Sequence, residues 1–61
     1  MASFRITIEC ENAVFDDRAN DEIAHILRQT ATKIEKQLPT DGIERVVLDS
    51  NGNTVGFWDY V

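Results

Sequence analysis

Val46-Val47-Leu48-Asp49-Ser50-Asn51-Gly52-Asn53-Thr54-Val55-Gly56-Phe57-Trp58 is two runs of β-branched and aromatic residues on either side of an Asn-Gly pair. Both central positions of a type I′ turn need positive φ, which Asn and Gly adopt with least strain, so the stretch predicts a β-hairpin closed by Asn51-Gly52. That turn sets a register. Leu48 faces Val55 and Val46 faces Phe57 on one side of the ribbon, while Arg45 faces Trp58 and Ile43 faces Tyr60 on the other. A four-residue loop from Ser50 to Asn53 keeps this parity, whereas a three-residue loop with a bulge would put Val47 beside Val55 and Arg45 beside Phe57. The even loop is preferred because it gathers Val46, Leu48, Val55 and Phe57 on one face.

Upstream, Phe4 to Glu9 alternate apolar Phe4, Ile6 and Ile8 with Arg5, Thr7 and Glu9, the period of a half-buried strand. The pattern stops at Cys10, and Phe15 stands just before Asp16 and Asp17, placed to fold over the end of the core as a staple does. A helix is predicted from about Asn20 to Gln37, with Ile23, Ile26, Leu27, Ala31, Ile34 and Leu38 on one stripe. Asp16, Asp17, Asp21 and Glu22 precede or open it, Lys33 and Lys36 lie toward its end, and Pro39 and Gly42 stop it. His25, Arg28, Gln29, Thr32 and Lys36 fall opposite the stripe, facing water.

The succession is β-α-β-β. One apolar helix stripe covers one sheet face, so the expected architecture is a single α+β domain over residues 1–61. It is a three-stranded antiparallel sheet of order 1-3-2 with one helix packed on one face. The last strand is placed centrally because Val55, Phe57, Trp58 and Tyr60 are apolar on both faces. The predicted core is Phe4, Ile6, Ile8, Ile23, Ile26, Leu27, Ala31, Ile34, Leu38, Val46, Leu48, Val55 and Phe57.

Composition bounds the function. At 61 residues, 43% hydrophobic and 28% charged, the chain is globular in character, but small enough for its stability to be marginal. A single cysteine leaves no internal disulfide, and no apolar run suits a signal peptide or a membrane span, which together point to a reducing, cytoplasmic setting. The net charge of −5 argues against direct nucleic-acid binding, which needs cations to replace phosphate counterions.

Glu9, Glu11, Asp16, Asp17, Asp21 and Glu22 crowd carboxylates into one segment, but it lacks the turn glycine of a calcium loop. In Asp49-Ser50-Asn51-Gly52-Asn53 the glycine comes too early for such a loop and no Glu follows at its twelfth position. No metal or cofactor is therefore expected. Cys10 and His25 are the residues of a thiol nucleophile pair, but Cys10 follows the first strand while His25 points away from the sheet, so no catalytic residue is assigned.

The blocks Phe4 to Phe15 (FRITIECENAVF), Glu22 to Arg28 (EIAHILR) and Leu48 to Trp58 (LDSNGNTVGFW) resemble a group of short proteins encoded by tailed bacteriophages and prophages. The resemblance covers most of the chain and is carried by fold-forming residues. It implies a small phage accessory protein of undefined activity, with no catalytic residues to carry over; by analogy with other phage proteins, the expectation is one that acts in the host bacterial cytoplasm and binds and blocks or redirects a host protein.

With the even-loop register, Arg45, Val47, Trp58 and Tyr60 fall on the sheet face that the helix does not cover. Trp and Tyr dominate interface hot spots, so these four are the expected partner-binding residues, toward either a host protein or a second copy in a homodimer. The competing expectation is an acidic mimic of nucleic acid that occupies a basic groove on a DNA- or RNA-binding host protein. A small enzyme is the third class, for which the sequence supplies no constellation.

Overall fold

The computed structural model describes residues 2–61. Strand β1 (Phe4–Ile8), a 3-10 turn (Ala13–Phe15), helix α1 (Ala19–Lys36), strand β2 (Arg45–Leu48) and strand β3 (Thr54–Tyr60) follow in that order. The sheet is antiparallel with β3 in the middle, order β1-β3-β2, as its two-faced apolar content predicts. Beyond the strands, Ser3 and Val61 exchange backbone hydrogen bonds of 2.7 and 2.9 Å, which extends the β1–β3 ladder toward the chain ends.

The hairpin closes differently from the expected type I′ turn. Asp49 N–H donates to the Asn53 carbonyl and Gly52 N–H to the Asp49 carbonyl, so the loop proper is Ser50-Asn51-Gly52. Only Gly52 takes a positive φ, at 84°; Asn51 does not. This is the three-residue loop that ends on a left-handed glycine. Leu48 pairs with Thr54 and Val47 with Gly56, leaving Val55 unpaired in a bulge. The extra residue restores the register further along, and Val46 stands opposite Phe57 and Arg45 opposite Trp58 as expected.

What changes is which face of the ribbon meets the helix. Ile6 lies opposite Trp58 and Ile8 opposite Gly56, and residues opposite one another share a face. The inward face of β1 therefore carries Trp58 inward with it, and Val47 follows on β2. Trp58 is 6% exposed and Val47 2%, while Val46, Leu48 and Phe57, expected in the core, are 50%, 40% and 47% exposed. Burying the indole removes more apolar area from water than burying the Phe57 ring would. The bulge turns Val55 inward as well, so the inner face keeps a third large apolar side chain from the hairpin.

The core is thus Phe15, Ile26, Val47, Val55 and Trp58, with Ile6, Ile8, Val14, Ala19, Ile23 and Ile34 packed around it. Phe15, expected to fold over the end of the core, is itself one of its buried members and lies in the 3-10 turn ahead of α1. On α1 the buried stripe runs through Ile23, Ile26, Thr30 and Ile34. Thr30 is accommodated because its hydroxyl donates to the Ile26 carbonyl at 2.9 Å. Leu27, at 44% exposure, and Ala31 lie on an exposed edge of α1, a rotation of the stripe away from the expected one, while Leu38, at 40% exposure, lies past the end of the helix, whose cap residue Gln37 is already extended. Phe4 is also 43% exposed, tilted over the Trp58 ring with centroids 5.6 Å apart. Burial of one Val or Ile side chain contributes about 1.5–3 kcal/mol, so in a core this small each member is a large share of the total.

Candidate functional site: the uncovered sheet face

The face of the sheet turned away from α1 is built from alternate residues of each strand. β1 contributes Arg5 and Thr7, β2 contributes Val46 and Leu48, and β3 contributes Phe57 and Asp59, with Glu9 and Glu44 continuing the same parity beyond the strand ends. Phe57 occupies the middle of the central strand, opposite Thr7 on one side and Val46 on the other. Two shallow hollows flank it. One is lined by Arg5, Thr7, Glu44, Phe57 and Asp59, the other by Glu9, Glu11, Asn12, Thr54 and Phe57.

The polar groups of this face are unevenly satisfied. Arg5 donates through Nε and Nη2 to the two oxygens of Asp59 at 3.1 and 2.9 Å, a fork on fork. The hydrogen bond to Asp59, then its charge, and more weakly the charge of Glu44 hold the Arg5 guanidinium above its ordinary pKa. Glu9, Glu11 and Glu44 are exposed and form none of the ion pairs found among the described residues.

Of the four residues expected to bind a partner, none forms part of an uncovered apolar patch. Trp58 and Val47 are core residues, Tyr60 is half-buried on their side of the sheet, and Arg45 is half-buried and bound to Asp41 at 2.9 Å. The expected surface exists with other occupants: Val46, Leu48 and Phe57 supply the apolar area. They were readable as apolar in the sequence, but their face was not.

The acidic segment is divided among separate roles. Glu22 accepts the Ser50 N–H and hydroxyl, each at 2.9 Å, and ties the first turn of α1 to the hairpin loop. Asp21 pairs with Arg18, Asp16 and Asp17 face solvent, and Glu9 and Glu11 line one of the hollows beside Phe57. No cluster of three His, Cys, Asp or Glu side chains among the described residues is placed to hold a metal ion. Cys10 is exposed, its thiol directed to the Ile8 carbonyl at 3.8 Å, and His25 is exposed on α1 beside Asp17, Asp21 and Glu22.

One organising residue escaped the sequence reading. Asp49, 6% exposed, accepts from the Asn51 and Asn53 N–H groups at 2.9 Å each through one oxygen, and from Asn12 Nδ2 at 3.0 Å and Asn53 Nδ2 at 3.3 Å through the other. Burial works to raise its pKa, but the bonds from Asn53, Asn12 and Asn51 outweigh it and leave the carboxyl below its ordinary value. Asn12 in turn accepts from Val14 N–H at 3.0 Å, so one carboxylate couples the hairpin loop to the 3-10 turn. The signal was an Asp with Asn two and four places on, the pattern of a side chain that folds a turn around itself.

No family model, curated protein or solved structure matches this chain. Among the described residues, no helix is long and apolar enough to cross a membrane.

Proposed function

We propose that this chain is a non-enzymatic protein-interaction module that works through its uncovered sheet face, centred on Phe57. The observation that carries this reading is the exposure of Val46, Leu48 and Phe57, three large apolar side chains side by side on a face that no element among the described residues covers. A small monomer seldom leaves such a patch in water without a use for it. The resemblance to phage accessory proteins supplies the setting: a host protein in the bacterial cytoplasm, bound and thereby blocked or redirected. The acidic-mimic reading draws less support, because Glu22 and Asp21 are engaged within the fold.

The test is affinity capture from infected host lysate with the tagged wild-type chain and with Phe57→Ser. The reading requires a captured protein that Phe57→Ser fails to retain while its circular dichroism stays that of the wild type. Equal capture by both would overturn it.

A further inference from the structure

The chemistry of the same face says what kind of partner fits, and the inference rests on the reading of that face as an interaction surface. The ring of Phe57 stands between two hollows, and both have carboxylate rims: Glu44 and Asp59 in one, Glu9 and Glu11 in the other. Arg5 is the only cation among these lining residues, and Asp59 already holds it in a two-point contact. Glu9, Glu11 and Glu44 take part in none of the ion pairs among the described residues, and they present exposed negative charge around an apolar centre.

We infer that the occupant of this face is a basic amphipathic segment of another protein, with an apolar side chain set against Phe57, Val46 and Leu48 and Lys or Arg side chains reaching the carboxylate rims on both sides. A second copy of this chain is the poorer occupant. In a two-fold contact the patch meets itself, which sets the carboxylate rims of one copy against those of the other, while Arg5 is already held by Asp59. A net charge of −5 also favours approach of a basic partner and slows self-association.

The experiment selects a random peptide display library on the immobilised full chain, with counter-selection on Phe57→Ser. Enriched peptides are then synthesised and their affinities measured for the wild type, for Phe57→Ser, and for a triple Glu9→Gln, Glu11→Gln, Glu44→Gln variant. All substituted side chains are exposed, and circular dichroism checks that each variant folds. The expected result is apolar residues flanked by Lys or Arg in the enriched sequences. Binding should weaken by about tenfold or more in Phe57→Ser, a hot-spot loss. It should weaken several-fold in the triple variant, and in the wild type as salt rises from about 0.05 to 0.5 M. Neutral or acidic peptides that depend on Phe57 but not on the glutamates would overturn the inference and leave the interaction face standing. Peptides indifferent to Phe57→Ser, or no enrichment over the counter-selection, would overturn both. A wild-type chain that sediments as a dimer, and as a monomer after Phe57→Ser, would give the face to a second copy and end the proposal.

Discussion

Ile6 stands directly opposite Trp58 across the β1–β3 ladder, and this pair decides which side of the hairpin is inside. Ile6 belongs to the inward alternation of β1, so the indole must be inward too, with Val47 beside it and Phe57 turned out.

Trp58 is accordingly a core residue. Trp58→Ala should cost about 3–5 kcal/mol, most of the stability of a chain this small. Thermal melting followed by circular dichroism should show loss of the cooperative transition or a large fall in its midpoint, with part of it regained in Trp58→Phe. A Trp58→Ala protein that melts like the wild type would mean the ring is not packed in the core.

Gly56 is required by the same ladder. A Cβ placed there would lie 1.8 Å from the Thr7 carbonyl oxygen and 3.2 Å from Ile8 Cα, both backbone atoms that cannot move aside without parting β1 from β3. Gly56→Ala should destabilise by about 3 kcal/mol or more, at or above the upper end for an ordinary overpacked position. Amide hydrogen exchange of β1 should quicken ahead of that in α1. Unchanged protection of β1 would contradict the close approach.

The Asp49 cluster gives the fold an acid-sensitive element. The native pKa of Asp49 is lowered, so its contribution is present above the unfolded value of about 3.9 and is lost as pH falls through the native value below it. Asp41 behaves likewise, held down first by the Ile43 N–H and then by Arg45. In Asp49→Asn the side-chain amide would face the Asn12 and Asn53 amides, donor against donor, so this variant should be less stable than wild type at pH 7. The gap should narrow toward pH 2, while Asp41, present in both proteins, leaves the variant's own curve with a slope. Parallel stability curves across that range would show that Asp49 does not titrate with folding.

Strand order and the existence of the three strands and the helix were legible because Phe4-Arg5-Ile6-Thr7-Ile8, the helical stripe and the Asn-Gly pair each carry a local period or turn signal; the 3-10 turn Ala13–Phe15 was not. The facing of the hairpin was not. Val55 switches sides through a bulge, and a count of alternate residues has no means of seeing an unpaired one. Counted without it, Val46, Leu48, Val55 and Phe57 form the more apolar face; with it, Val55 joins Val47 and Trp58. Thr30 was passed over for a similar reason, since its hydroxyl is satisfied inside its own helix and its methyl group can then be buried. The candidate site inherited the error: the uncovered face and its residues from β1, Arg5 and Thr7, were anticipated, but its hairpin residues were exchanged with those of the core.

Phe57 and its neighbours are therefore the central claim, and an NMR titration of the isotopically labelled chain with its captured partner tests it most directly. The amides of Thr7, Val46, Leu48, Phe57 and Asp59 should shift or broaden first, with Glu9 and Glu44 at the rim, while Arg28, Thr32 and Glu35 on the outer side of α1 stay still. A footprint confined to Asp16, Asp17 and Asp21, or to the helix edge at Leu27 and Ala31, would contradict it.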